Sequence, residues 1–183
     1  QLVNQTAVAR DCHVSQASVH RYLNLLETTC LIDRLPAFAR NRTTRLIKAP
    51  KLHWLDPALA AYLGGLHDEA QLAASREAGA LFESMIFHHL KAFASTFTPG
   101  IRLHYWRTMK GSEVDLVLEW GRRITAVEVK LTDSPRQADC EGLEAFLQDH
   151  PEASGGILVH TGRSVMRMGT KIMALPWTAV AGL

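Results

Sequence analysis

Two carboxylates and one amine lie close together in the sequence, in stretches that have the pattern of neighbouring strands. Asp115 lies within residues 113–119, and Glu128 and Lys130 lie within residues 124–131. Because side chains alternate between the two faces of a strand, Glu128 and Lys130 share a face, and an antiparallel hairpin places Asp115 beside them. Like charges side by side cost stability unless a cation joins them, so this arrangement favours a functional site.

Metal-assisted hydrolysis of phosphodiesters is the chemistry that such a cluster supports. Asp115 and Glu128 offer hard oxygen ligands for Mg²⁺ or Mn²⁺, and such an ion lowers the pKa of a bound water and offsets charge on the phosphate. Lys130 would orient the water or stabilise the developing charge. Glu83, on a preceding helix, would complete the metal ligands. The alternatives are a helix-dipole interaction for Glu83 and a surface salt bridge between Glu128 and Lys130.

The elements that must position these side chains have the order α-β-β-β-α-β. An amphipathic helix begins at residue 79, because apolar residues recur there at helical spacing. Three strands, a second helix and a buried strand follow, at residues 103–107, 113–119, 124–131, 134–147 and 157–161. We therefore expect a mixed α/β domain.

The first part of the chain has the pattern of a helix-turn-helix. Asn4 is suited to cap a first helix, residues 12–14 form the turn, and Ser15 caps a second helix over residues 16–28. A buried stripe is expected on the second helix, formed by Val19, Tyr22, Leu23, Leu26 and Cys30. Its early exposed positions carry side chains that can reach bases and phosphates, as a recognition helix requires. They are Gln16, Ser18, His20 and Arg21.

A basic hairpin is predicted after this helix. Residues 31–35 and 45–48 read as two strands, and residues 39–44 read as the turn between them. Its cationic positions, which could contact a phosphate backbone, are Arg40, Arg42 and Arg45. A helix-turn-helix followed by such a hairpin is a winged helix-turn-helix. The alternative role for it is binding to a protein partner.

The charge distribution supports a polyanionic partner for the first part. The net charge of the 183 residues is +2, but residues 1–51 carry eight Lys or Arg against three acids, whereas the remainder carries twelve against fifteen. A net charge of +5 in the first part and −3 in the rest suits nucleic acid at the first part.

Composition excludes several classes of protein. Hydrophobic residues make up 47% and charged residues 21%, as in globular proteins. No apolar run approaches the roughly 20 residues that cross a bilayer, and no segment has the pattern of a signal peptide. Three separated cysteines give neither a disulfide framework nor a zinc pattern, so we expect a cytoplasmic protein without a membrane partner. Because the chain starts at Gln1, we expect a longer parent protein.

Two family resemblances add to this interpretation. Asp115 followed by Glu128-Val129-Lys130 resembles the D…(D/E)xK signature of the PD-(D/E)XK nuclease superfamily. The chain as a whole resembles the C-terminal region of a large family of prokaryotic AAA-type P-loop ATPases, a region usually catalogued as a domain of unknown function. The matching stretches are residues 15–35, 51–56 (KLHWLD), 79–83 (GALFE), 105–107 (YWR), 113–115 (EVD), 128–130 (EVK) and 174–176 (ALP). The resemblance implies an upstream ATPase domain, and ATP would bind only there, since this chain lacks GxxxxGK[ST].

We therefore predict a winged helix-turn-helix in residues 1–66 and a restriction-endonuclease-like α-β-β-β-α-β core in residues 67–183. The leading hypothesis is a DNA-associated module of an ATPase with a nuclease-like site, in which Asp115, Glu128 and Lys130 are catalytic. The second is a catalytically inactive DNA- or protein-binding module that regulates the ATPase. A third is a transcriptional regulator, which would require a dimer. The sequence leaves enzymatic activity and oligomeric state open.

Overall fold

The computed structural model describes residues 2–39 and 49–181. Helices and strands are mixed along the chain, which confirms the predicted α/β class. In chain order they are α1 (Gln5–Asp11), α2 (Gln16–Thr28), β1 (Ile32–Leu35), β2 (Lys51–Trp54), α3 (Pro57–Leu63), α4 (Glu69–Ala74), α5 (Ala78–Phe97), β3 (Ile101–Arg107), β4 (Glu113–Trp120), β5 (Arg123–Lys130), α6 (Glu141–Asp149), β6 (Gly155–His160), β7 (Met166–Arg167), β8 (Ile172–Pro176) and α7 (Trp177–Ala181). Within the described residues, no helix is long and apolar enough to cross a membrane.

Helices α1 and α2 begin at the two predicted caps. The Asn4 side chain accepts hydrogen bonds from the N–H groups of Thr6 and Ala7, and Ser15 accepts one from Ser18. These oxygens satisfy N–H groups that have no partner within the helix. His13, in the turn between the helices, has φ 54°, a left-handed conformation that breaks the helical path.

The buried face of α2 is narrower than the predicted stripe. Val19 is buried, and Leu23 and Leu26 are half-buried. Tyr22 is 55% exposed and Cys30 is also exposed, so the prediction was wrong for both. Helix α2 packs against α1 and β1, and a helix buries mainly the residues nearest its neighbours.

Strand β1 pairs with β2, which begins at Lys51. It forms a two-stranded antiparallel sheet with β2, in which Leu35 lies opposite Lys51. The predicted partner, residues 45–48, lies outside the described residues. In β2 the inward positions are those of Lys51 and His53, both of which are buried.

The main sheet has six strands in the order β3-β4-β5-β6-β8-β7. Strands β3, β4 and β5 are successive antiparallel neighbours, and β6 is parallel to β5 because α6 carries the chain back across the sheet. Strand β8 is parallel to β6, and β7 is antiparallel to β8. Helix α6 begins later than the predicted helix over residues 134–147, because residues 137–140 form a 3₁₀ helix first.

Hydrophobic residues pack on both faces of this sheet. Helix α5 covers one face, where Ile86 and Phe87 meet Leu116. Helix α6 covers the other, where Phe146 packs against Trp106. Asp115 lies near the start of β4, Glu128 and Lys130 lie at the end of β5, and Glu83 lies on α5.

Candidate functional site

Lys51 lies in the middle of a group of carboxylates that come from distant parts of the chain. Its Nζ is 3.2 Å from Oε1 of Glu83 on α5 and 3.1 Å from Oδ1 of Asp115 on β4, and it also pairs with Glu113. Only 4% of the Lys51 side chain is exposed. An ammonium group has three N–H donors. Three carboxylates therefore use its whole hydrogen-bonding capacity.

These carboxylates keep Lys51 charged in spite of its burial. Burial alone would lower the pKa of its ammonium, but Asp115, Glu83 and Glu113 outweigh that effect and raise the pKa above its usual range. Burial, followed by the charge of Asp115, raises the pKa of Glu83, and Lys51 acts in the opposite direction. The charge states of Lys51 and Glu83 therefore depend on the neighbours that surround them.

A bulge in β4 brings Asp115 into this group. The pairing of β3 with β4 shifts so that Asp115 and Leu116 together lie opposite Tyr105. Oδ2 of Asp115 accepts a hydrogen bond from the backbone N–H of Val129 on β5, 3.0 Å away, and Oδ1 accepts one from Lys51. Both carboxylate oxygens of Asp115 are thus engaged by partners within the chain.

Glu128 and Lys130 form the second part of the site. Lys130 Nζ lies 2.8 Å from Oε1 of Glu128, as their shared face on β5 predicted. Burial and then the charge of Asp115 raise the pKa of Glu128 to about 7. Burial would lower the pKa of Lys130, but Glu128 outweighs it and raises that pKa. Oε2 of Glu128 is buried, and no hydrogen-bond partner for it exists within residues 2–39 and 49–181.

His53 contributes packing to the site and no charge. Its ring stacks on Phe87 with 4.4 Å between centroids, and its Nδ1 lies 3.3 Å from the Ser84 hydroxyl. Burial lowers the pKa of His53 to about 3, so the ring is neutral at physiological pH. Its Nε2 is 3.8 Å from Glu83 Oε1, which is too far for a hydrogen bond.

The predicted metal ligands do not fit a divalent ion in this arrangement. Glu83 and Asp115 lie on either side of the Lys51 ammonium, and Glu128 is joined to Lys130. In the part of the chain that the structure describes, no three His, Cys, Asp or Glu side chains are arranged to hold a metal ion. A divalent ion would need the carboxylate oxygens that Lys51 now occupies.

The predicted nucleic-acid residues on α2 lie mainly on its surface. Gln16, His20 and Arg21 are exposed. Ser18 is half-buried, and its hydroxyl lies 3.0 Å from that of Ser15, next to the helix cap. The predicted hairpin residues Arg40, Arg42 and Arg45 lie outside the described residues.

Sequence reasoning missed Lys51 as a member of the site. The sequence placed it only at the start of a strand, although it is the cation that three carboxylates share. The available signal was the alternation of β2, which puts Lys51 and His53 on one face. Alternation does not tell which face is inward, so it could not distinguish a buried lysine from a solvated one.

Comparison with protein families divides the chain into two segments. Residues 78–180 match the family described as Domain of unknown function (DUF4143). The chain belongs to the DUF4143 family. Residues 1–70 match a second family, Domain of unknown function (DUF8612). The DUF4143 region supplies every carboxylate of the site, and the DUF8612 region supplies Lys51.

Two mycobacterial proteins are similar to most of this DUF4143 chain. Uncharacterized protein Rv2008c of Mycobacterium tuberculosis and Uncharacterized protein Mb2031c of Mycobacterium bovis are each 30% identical to it over 135 residues. The match covers 74% of this chain and 30% of each relative. The chain thus spans less than a third of the length of the curated relatives that it matches.

Proposed function

We propose that this chain is the C-terminal, DNA-associated module of an AAA-type ATPase, and that it binds nucleic acid and regulates the ATPase without cleaving DNA. One observation supports the proposal that the chain does not cleave DNA. The Lys51 ammonium lies between Glu83 and Asp115, where a catalytic divalent ion would need its ligands. The ATPase partner rests on the resemblance of the whole chain to the C-terminal region of those enzymes.

The order of elements supports the fold that this proposal assumes. Helix α5, the antiparallel strands β3 to β5, helix α6 and the parallel strand β6 follow the α-β-β-β-α-β order of PD-(D/E)XK nucleases. Helices α1 and α2, with a turn at His13 and a two-stranded sheet after them, have the order of a winged helix-turn-helix. In this proposal residues 1–66 bind DNA and residues 67–183 form the nuclease-like domain.

The surface of α2 supports DNA as the partner of the first region. Gln16, His20 and Arg21 are exposed near the beginning of the helix, whose N–H groups also favour an anion. The net charge of +5 over residues 1–51 attracts a polyanion, whereas the rest of the chain carries −3.

The binding half of the proposal is tested by the affinity for duplex DNA at several salt concentrations, measured by fluorescence anisotropy. Arg21→Ala should weaken binding to all sequences and reduce the slope of log K against log salt by about 1. Replacing Arg40, Arg42 and Arg45 together should weaken DNA binding and reduce the slope by more than Arg21→Ala does. Arg76→Ala is the matched control, because Arg76 is 95% exposed and lies outside the first region. No measurable affinity at low salt would refute DNA binding and would favour a protein partner.

The non-cleaving half is tested by incubating the chain with plasmid and linear DNA in the presence of Mn²⁺ or Mg²⁺. We expect the DNA to remain intact. Cleavage by the unmodified chain that is lost in both Asp115→Ala and Glu128→Ala would overturn this half of the proposal.

A metal-dependent nuclease is the second candidate function, and a specific observation favours it. Glu128 has a buried oxygen without a hydrogen-bond partner in the described residues, and its carboxylate lies beside Lys130 and within the field of Asp115. These are the residue types and the spacing of the D…(D/E)xK signature. The same cleavage assay decides between the two candidates.

A further inference from the structure

The charge cluster at the site is unbalanced. Four carboxylates, those of Glu83, Glu113, Asp115 and Glu128, share two amines, Lys51 and Lys130, and Arg107 also pairs with Glu113. When all seven groups are ionised, the cluster carries one negative charge in excess. Burial makes such an excess costly, because nearby charges are poorly screened there.

Lys51 contacts three of the four carboxylates in this cluster. It meets carboxylate oxygens from two elements that lie 32 and 64 residues further along the chain. Hard oxygen atoms converging on a buried cation are also the ligands that divalent ions prefer.

The cation and the carboxylates belong to different regions of the chain. Lys51 lies on β2 in the DUF8612 region, whereas the carboxylates lie in the DUF4143 region. Strand β2 is held by its pairing with β1 and by a bridge between Leu2 and Lys51. Whether Lys51 reaches the carboxylates therefore depends on how the first region packs on the second.

We propose that Lys51 is a built-in cation that takes the place of a divalent metal ion, so that docking of β2 and divalent-ion binding by Glu83, Glu113 and Asp115 exclude each other. The inference deepens the proposed function and rests on it, since it gives the reason why the site does not cleave DNA. By linkage, the two events weaken each other to the same extent. A signal that lifts β2 away would expose the cation site.

The test measures Mn²⁺ binding to the full chain by calorimetry and thermal unfolding, without DNA, so that its outcome is independent of DNA affinity and cleavage. Lys51→Met removes the charge and keeps an unbranched side chain of similar length. The unmodified chain should bind no Mn²⁺ up to about 1 mM, and Lys51→Met should bind it. At Mn²⁺ about 100-fold above its Kd, the melting temperature of Lys51→Met should rise by roughly 5–10 °C.

Three control variants assign the effect to the cluster. Lys51→Arg keeps the cation and should remain without bound Mn²⁺. Lys110→Met removes a charge from an exposed residue and should behave like the unmodified chain. Lys51→Met combined with Asp115→Asn should lose the Mn²⁺ response.

Three results would overturn the proposal. One is Mn²⁺ binding to the unmodified chain that Asp115→Asn abolishes. Another is a folded Lys51→Met protein that binds no Mn²⁺. The third is a Lys51→Met protein that stays unfolded at about 10 mM Mn²⁺, because divalent binding should then drive its folding. If the variant is unfolded alone and Mn²⁺ restores its circular dichroism, the proposal is supported.

Discussion

Replacing Glu128 by Gln should stabilise the protein at alkaline pH and leave it nearly unchanged at acidic pH. Glu128 is buried beside Asp115, and Oε2 of its carboxylate has no hydrogen-bond partner among the described residues. The amide has nearly the shape of the protonated carboxyl group and carries no charge at any pH. Glu128→Gln therefore imitates the form of Glu128 that the folded protein favours.

The pKa of Glu128 sets both the magnitude and the sign of this effect. Its pKa rises from an ordinary value of 4.5 to about 7 on folding. The folded protein thus holds this proton more tightly than the unfolded chain, and the unmodified protein loses stability as pH rises from 4.5 to about 7. At 1.36 kcal/mol per pKa unit, the loss is about 3 kcal/mol above pH 7. Glu128→Gln avoids this loss of stability. It also removes the ion pair with Lys130, which lowers stability by up to about 1 kcal/mol, because Lys130 is partly exposed.

Urea unfolding at several pH values between 5 and 8 measures this difference directly. We expect the free energy of unfolding of Glu128→Gln to exceed that of the unmodified protein by about 2–3 kcal/mol at pH 8 and to be similar near pH 5. Glu77→Gln, at an exposed carboxylate, controls for the change in net charge. A difference that does not vary with pH, or a variant that is less stable at pH 8, would refute the reasoning.

Three further substitutions or truncations test the packing around the site. In Gly142→Ala, the added Cβ would lie 2.2 Å from the Glu113 carbonyl oxygen. This clash should lower the free energy of unfolding, measured in urea, by about 1–3 kcal/mol. Gly79→Ala is the control, because a Cβ added at Gly79 on α5 meets no atom, and it should cause no loss of stability. Equal losses in the two variants would contradict this prediction. Phe146 is fully buried, so Phe146→Ala should lower the free energy of unfolding by about 3–5 kcal/mol. A loss below about 1 kcal/mol would show that the core between the sheet and α6 is misassigned. Residues 67–183 alone should show no cooperative thermal transition by circular dichroism; a transition within a few degrees of that of the full chain would count against coupling between the regions.

The strands that carry the site were predictable because their pattern is local. Strands β4 and β5 begin and end within about a residue of their predicted bounds, since apolar residues alternate along both. The turn between them has Gly121 at φ 60°, a conformation that glycine adopts easily. The shared face of Glu128 and Lys130 follows from the same alternation.

The non-local features could not be predicted in the same way. Lys51 and Asp115 are 64 residues apart, and no periodicity relates them. The bulge that turns Asp115 toward Lys51 depends on how β3 and β4 pair, which a single strand does not reveal. The exposure of Tyr22 likewise depends on what covers α2, because its helical spacing fits a buried stripe equally well.

The position of Lys51 is a consequence of how the two regions pack. Leu35 and Ala37 of the first region lie in the core beneath α5, and Phe38 lies in the core beneath α6. Ala37 also forms a bridge with Tyr105 of β3.

The segment that follows residues 40–48 is also held in place, because the Tyr105 hydroxyl donates a hydrogen bond to the carbonyl oxygen of Ala49. Lys51 therefore extends from a segment that is anchored both before and after residues 40–48. Because its ammonium is held through this packing, a change that loosens the first region acts on the carboxylates through Lys51. A lysine on a solvated strand would not link the packing of the first region to the carboxylates. The charge of those carboxylates would then be independent of how the first region packs.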